Sequence, residues 1–329
     1  MSHHISLGAR GRIGALGLAL AGALALLGAA PAQAAAPFTQ IYAFGDSLSD
    51  NGNLYALSGG RVPPAGAYWN GRFSNGPTAV EDLAAHFNVG LTDFAYGGAR
   101  VGLDNSLSSS FYGTGVSGQV GRFAQAAGGH ADSGALYFVW AGANDFLDPA
   151  LAADPNRPAY AAGTLMADIT TLYNSGARDF LVPTLPDLGG TPRGTGGGSA
   201  YQQLLHQDSL AFNSLLTSSL AAFGAAHADA KFTVFDTAAF YATEVPLLAS
   251  QGVNVTDACM NSATGTVCAD PSKYLSWDGL HPTAMGHQLM ANAMAAAVPE
   301  PATSALLLAG LGVLGLRARR QHRRAAAAA

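Results

Sequence analysis

Ile41-Tyr42-Ala43-Phe44-Gly45-Asp46-Ser47-Leu48-Ser49-Asp50-Asn51-Gly52-Asn53 carries a short apolar run straight into small polar residues. A buried strand ending in a tight turn has this pattern. It sets Ser47 at the strand's C-terminal edge, where open α/β sheets put their ligand sites. A serine hydroxyl becomes a useful nucleophile only when a base takes its proton and donors hold the oxyanion that results. Gly-Asp-Ser alone reads as a plain turn, but groups of the required types stand far downstream. Trp277-Asp278-Gly279-Leu280-His281-Pro282 supplies an acid and a base three residues apart, and Gly142-Ala143-Asn144-Asp145 a candidate amide donor.

Outward from that first strand, placed at 38–44, apolar and amphipathic segments alternate. Residues 54–74, rich in Gly, Pro, Tyr and Trp, read as a long loop over the site. Pro77 stands where a helix can begin, with Ala79, Val80, Leu83, Ala84 and Phe87 in helical spacing. Further strands are expected at 91–95, 135–141, 179–183 and 232–236, with 135–141 apolar enough to be buried on both faces. Helices are expected at 120–127, 160–174, 201–226, from 237 to about 249, and at 283–297. The polar tract 104–118 reads as surface loop. The Gly-rich patch 189–198 lacks the Lys-Ser/Thr ending of a phosphate loop and reads as a flexible connector. Five strands alternating with helices imply one α/β domain with a mostly parallel five-stranded sheet covered on both faces.

The ends stand apart from that domain. Arg10 and Arg12 precede a Leu/Ala/Gly run, and Ala32-Gln33-Ala34 fits a cleavage site, so residues 1–34 read as a secretory signal peptide. Residues 298–329 hold Val298-Pro299-Glu300-Pro301, a short apolar run at 304–316, and Arg317, Arg319, Arg320, Arg323 and Arg324. That run falls short of the roughly 20 residues needed to span a bilayer, and the arginines favour a cytoplasmic end. Of 16 Lys+Arg, two lie in the leader and five in the tail; of 21 acidic residues only Glu300 lies outside 35–297. The domain therefore keeps 9 basic against 20 acidic residues, about −11. An acidic domain with no basic stripe argues against nucleic acid as a partner. Cys259 and Cys268, in one loop of an exported chain, are expected to form a local disulfide.

FGDSLSDNGN, then NGRFSNGP (70–77), FAYGGA (94–99), GAND (142–145) and DGLHPT (278–283) resemble the ordered blocks of the GDSL esterase/lipase family, the SGNH hydrolases. The resemblance runs from about residue 38 to about 297. It implies a three-layer α/β/α sandwich, flavodoxin-like, and carboxylic ester hydrolysis through an acyl-enzyme with no cofactor and no metal. Ser47 is then the nucleophile, His281 the base and Asp278 its orienting acid. The oxyanion hole implied is the Ser47 N–H, the Gly98 N–H and the Asn144 side-chain amide. Asp93 stands where the family often has Asn. Asp46 and Asp145 are expected to brace turns. Tyr68, Trp69 and Phe73 either line an acyl pocket or pack the loop. His86, His130, His206, His227 and His287 carry no motif and read as surface or packing residues.

The tail similarly resembles the PEP-CTERM sorting signal of Gram-negative bacteria. This implies transient inner-membrane contact, a sorting machinery, and a mature protein that is periplasmic, at the cell surface or secreted. The substrate expected is a small-molecule or lipid ester. A carbohydrate O-acetylesterase of the same fold is an alternative. From other classes come a metal-dependent phosphoesterase with Asp46, Asn144, Asp278 and His281 as ligands, and a non-catalytic surface module.

Overall fold

A computed structural model describes residues 37–299, apart from 153, together with 310–315, 317 and 319. The leader expected at 1–34 and most of the tail expected at 298–329 lie outside the described residues. Positions 310–315 belong to a separate unit and are helical and exposed.

Alternation of strand and helix begins with β1 (Gln40–Gly45), then α1 (Ala79–Phe87), β2 (Gly90–Asp93), α2 (Val116–Ala127) and β3 (Leu136–Trp140). Next come α3 (Arg157–Asn174), β4 (Asp179–Pro183), α4 (Ser199–Ala226), β5 (Lys231–Phe235) and α5 (Thr237–Ser250). A two-stranded pair, β6 (Asn254–Ala258) and β7 (Tyr274–Ser276), precedes α6 (Ala284–Ala297). The main sheet runs β2-β1-β3-β4-β5 with every pair parallel. Side chains alternate along each strand, so β3 sends Tyr137 and Val139 to one face and Leu136, Phe138 and Trp140 to the other. The first face packs on α2, α3 and α4 through Phe123, Leu165, Ile169, Phe212 and Leu216. The second packs on α1 and α6 through Val80, Leu83, Met290 and Met294. Two apolar layers thus cover one sheet, the three-layer α/β/α architecture.

Side-chain caps set three of these six helix starts. Thr78 and Glu81 form a capping box at α1, Asp236 caps α5 on the Ala239 N–H, and Thr283 caps α6 on the Gly286 N–H. Helix α2 begins four residues earlier than its apolar spacing suggests. Gln119, a polar residue that hides the pattern, is buried with its amide bonded to Gly45 N and O and to Thr114 O. The loop over 54–74 opens with a helical turn, Asn53–Leu57.

One expectation is overturned. The stretch 189–198 is not a flexible connector: it holds a capped turn, Pro192–Gly196, with Thr191 accepting from Gly194 N. Two of its glycines serve close approach: a Cβ on Gly189 would stand 2.4 Å from the Gln202 carbonyl oxygen, and one on Gly194 2.4 Å from the Leu188 carbonyl oxygen.

Candidate active site

Strand order places the topological switch between β1 and β3, so the crevice opens at their C-terminal ends. The turn after β1 closes on Asp46, whose carbonyl accepts from Ser49 N and Asp50 N and whose carboxylate accepts from Leu48 N. Asp46 is therefore a brace beneath Ser47. Burial pushes its carboxyl up to about 6, against the Leu48 N–H and the charge of His281.

The rest of that motif ties β1 to the end of β2. Asp50 accepts from Gly52 N, Asn53 N, Leu54 N and Gly97 N, while the Asn53 amide donates to the Asp93 and Ala95 carbonyls. Asp93 accepts from Asn51 N and Ala95 N, so a carboxylate at this position does support the local turn. Burial, with Asp50 nearby, drives the Asp93 carboxyl well above its ordinary range.

These bonds separate the two glycines. Gly97 N donates to Asp50, whereas Gly98 N and Ser47 N find no acceptor among the described residues. Gly98 has φ +76°, and a Cβ there would meet Asn105 Oδ1 at 2.5 Å, so only glycine fits this turn. Asn144, in the helical turn after β3, donates from Nδ2 to Ala99 O at 3.1 Å and accepts from Ser106 Oγ at 3.0 Å. Its neighbour Asp145 accepts from Val101 N and is a brace; burial raises its carboxyl to about 7.

His281 reaches Ser47 from a loop between β7 and α6. Its Nε2 lies 2.7 Å from Ser47 Oγ, and its Nδ1 lies 2.9 and 2.8 Å from the two Asp278 carboxylate oxygens. Asp278 Oδ1 also accepts from Leu280 N and His281 N, each at 2.8 Å. Burial alone would raise the Asp278 carboxyl, but the His281 charge and these hydrogen bonds bring it down to about 2. The loop is anchored by Trp277 N on His281 O, Thr283 N on Leu275 O, and Ser74 Oγ on Pro282 O.

Two cavities meet at Ser47, Asn144 and Leu280. One, of about 390 Å³, runs under α5 and is walled by apolar residues including Ala238, Tyr241, Ala242 and Val245. The other, of about 340 Å³, contains Gly98, Ser106, Arg193 and His281. Phe73 lines this second cavity, 5.3 Å from the imidazole ring. Trp69 is exposed beneath the Arg72 guanidinium, and the Tyr68 hydroxyl is bonded to Asp278 Oδ2 at 2.7 Å. No aromatic of that loop lines the apolar cavity.

Sequence reasoning missed Tyr68 as a partner of Asp278, Ser106 as a partner of Asn144, and Arg193, whose N–H donates to Gly279 O. No spacing signals the first of these, 210 positions away. Of the histidines without a motif, His287 is buried and accepts from Ala79 N, its pKa lowered by burial to about 3. His206 pairs with Asp187 on the surface, and His227 packs between Tyr173 and Phe223. Cys259 and Cys268 are disulfide-bonded. Among the described residues no group of three or more His, Cys, Asp or Glu is arranged to hold a metal ion.

Residues 41–294 match the profile of the GDSL-like lipase/acylhydrolases, and residues 297–324 that of the PEP-CTERM protein-sorting motif. The chain is 27% identical over 270 residues to the thermolabile hemolysin of Vibrio parahaemolyticus, covering 78% of this chain and 62% of the relative. It is 32% identical over 160 residues to the phosphatidylcholine-sterol acyltransferase of Aeromonas hydrophila, 47% of each. The chain thus spans about half to two thirds of the length of these relatives. Among solved structures, the aryl esterase of M. smegmatis aligns over 78% of this chain and 96% of its own, at 14% identity and a TM-score of 0.44.

Proposed function

Because this chain belongs to the GDSL-like lipase/acylhydrolase family, we propose that it is an exported serine hydrolase of carboxylic esters, with Ser47, His281 and Asp278 as its catalytic triad. The observation that carries the reading is the continuous run Asp278–His281–Ser47, at 2.8 and 2.7 Å, joining residues 234 positions apart. Ser47 Oγ attacks the ester carbonyl while His281 Nε2 takes its proton. Asp278 holds the imidazole by Nδ1–H and stabilises its cation. The tetrahedral oxyanion is received by Ser47 N–H, Gly98 N–H and Asn144 Nδ2. The two unpartnered backbone donors support this assignment, and so does the engagement of Gly97 N elsewhere. Collapse expels the alcohol, which takes the proton from His281. Water, activated by the same base, then releases the acid from the acyl-enzyme.

The leaving alcohol must lie on the side of the group that protonates it. His281 lines only the second cavity, so that cavity takes the alcohol and the apolar one under α5 takes the acyl chain. An acetyl group would leave most of the 390 Å³ empty, which favours a longer-chain ester over an acetylated sugar. The sorting motif at 297–324 sends the protein to the cell envelope. The hydrolase domain is then 35–297, freed from a leader at 1–34 and a tail at 298–329. Ser47→Ala tests the mechanism: turnover of nitrophenyl esters should fall by about 10³-fold or more with the fold intact. A fluorophosphonate should label Ser47 in the wild type alone. A folded variant with near-normal turnover removes the serine mechanism.

A further inference from the structure

The catalytic reading accounts for one edge of the Asp278 carboxylate. Oδ1 is fixed by two amides of its own loop, Leu280 N and His281 N. Oδ2 faces His281 Nδ1 and one other donor among the described residues, the Tyr68 hydroxyl at 2.7 Å. That hydroxyl comes from the loop between β1 and α1, on the far side of the domain's sequence, and is held there by packing. The Tyr68 ring rests against Cys259, Met260 and Trp277, with Cys268 in the same cluster, and meets Phe73 edge-on at 5.9 Å. The backbone beneath is closed by Trp69 N on Ser74 O, and Ser74 Oγ in turn bonds Pro282 O.

We propose that Tyr68 is a positioning residue for the ester hydrolysis assigned above: its hydroxyl orients Asp278 and sets the basicity of the His281–Asp278 pair. The inference rests on that reading of the site. A carboxylate accepting on both oxygens cannot rotate away from Nδ1–H, so Nε2 stays aimed at Ser47 Oγ. A donor on Oδ2 also draws off part of the negative charge that the imidazole feels, which lowers its affinity for a proton. Tyr68 serves as a donor throughout the working range, because burial and the Asp278 charge both push its phenol up. The other charged or titratable groups facing the triad are Asp46, which acts on His281, His287 on α6, and Arg193 and Asp148 across the second cavity. Asp148 is paired with Arg100 at 2.9 Å. None of these donates to Oδ2.

Tyr68→Phe keeps the ring and its packing and removes only the hydroxyl. Tyr68 lines neither cavity, so KM for a nitrophenyl ester should stay near the wild-type value. kcat should fall about tenfold, the worth of a hydrogen bond to a charged group. The acid limb of the kcat/KM profile should move to higher pH by about half a unit to one unit. A thermal melt confirms that the variant is folded. A loss of kcat spread evenly over pH, with the acid limb unmoved, marks a merely structural residue and overturns the proposal, as does an unchanged kcat. Ser47→Ala is run beside it. Where wild-type turnover needs Ser47 and Tyr68→Phe behaves as wild type, only this inference falls. Where turnover does not need Ser47, both readings fall.

Discussion

The apolar cavity under α5 makes a quantitative statement about the acyl group. Ala238, Tyr241, Ala242 and Val245 recur at helical spacing, so one face of α5 forms the wall. A chain carbon takes up about the room of a water molecule, about 30 Å³, and 390 Å³ therefore holds roughly a dozen. Each buried methylene is worth up to about 0.8 kcal/mol, or about fourfold in kcat/KM. A series of nitrophenyl esters should rise in kcat/KM by up to that factor per carbon and level off near twelve. Ala242→Trp sets an indole against the middle of the wall. If it denies roughly four methylenes their site, the twelve-carbon ester loses up to about 10²-fold, while the four-carbon ester is unchanged. The assay is the full chain-length series on both proteins. Equal losses at every length, or a wild-type profile that peaks at acetate, would refute the assignment of this cavity to the acyl chain.

Asn144→Ala should cut kcat by about 10²–10³ with little change in KM, because the amide matters most as the oxyanion forms; a change confined to KM would give Asn144 a binding role instead. Asp168 is buried with Ser117 Oγ as its hydrogen-bond partner, and burial raises its carboxyl to about 7. Its folded-state value exceeds its unfolded one, so its contribution to stability is present below about pH 4 and is lost as pH rises through 7. Asp168→Asn should therefore gain on the wild type by on the order of 2 kcal/mol more at pH 8 than at pH 5, read by urea unfolding at both; a constant difference would place the carboxyl near its ordinary value. Tags set before Val298 and after Arg324 should part company in the native host, the first leaving the inner membrane; both staying there would make the tail a permanent anchor.

What the sequence made legible was chemistry carried within a few residues. Strands β1, β3 and β4 lie within two residues of their apolar runs, and the α6 cap is written in Thr283 itself. Asp278 and His281 were legible for the same reason: one short loop holds both. Gly98 was separable from Gly97 only by resemblance, since nothing local says that Gly97 N is taken by Asp50, 47 positions earlier. Tyr68 is harder still. Its loop reads as aromatic surface, and its one polar contact depends on how the disulfide loop and the β7–α6 loop dock. The Gly-rich stretch misleads in the opposite sense. Glycine repeats look like slack chain, yet at Gly194 the missing side chain lets a backbone carbonyl approach. Composition cannot distinguish a glycine that frees the chain from one that lets it close.

The site itself divides along the same line. Ser47, Gly98 and Asn144 stand just beyond the ends of β1, β2 and β3, which are mutual neighbours through β1, so parallel pairing fixes their spacing. The half that carries Asp278 and His281 has no strand of the main sheet beneath it. Asp278 and His281 depend on a loop held by Ser74, by β7, and by the cluster around Cys259. On the proposed mechanism, strand pairing delivers the nucleophile and the oxyanion donors with the register of the sheet. On the same mechanism the base must be set by side-chain bonds, which accounts for an Asp278 carboxylate bonded on both oxygens where a single Nδ1–H contact would suffice for charge alone.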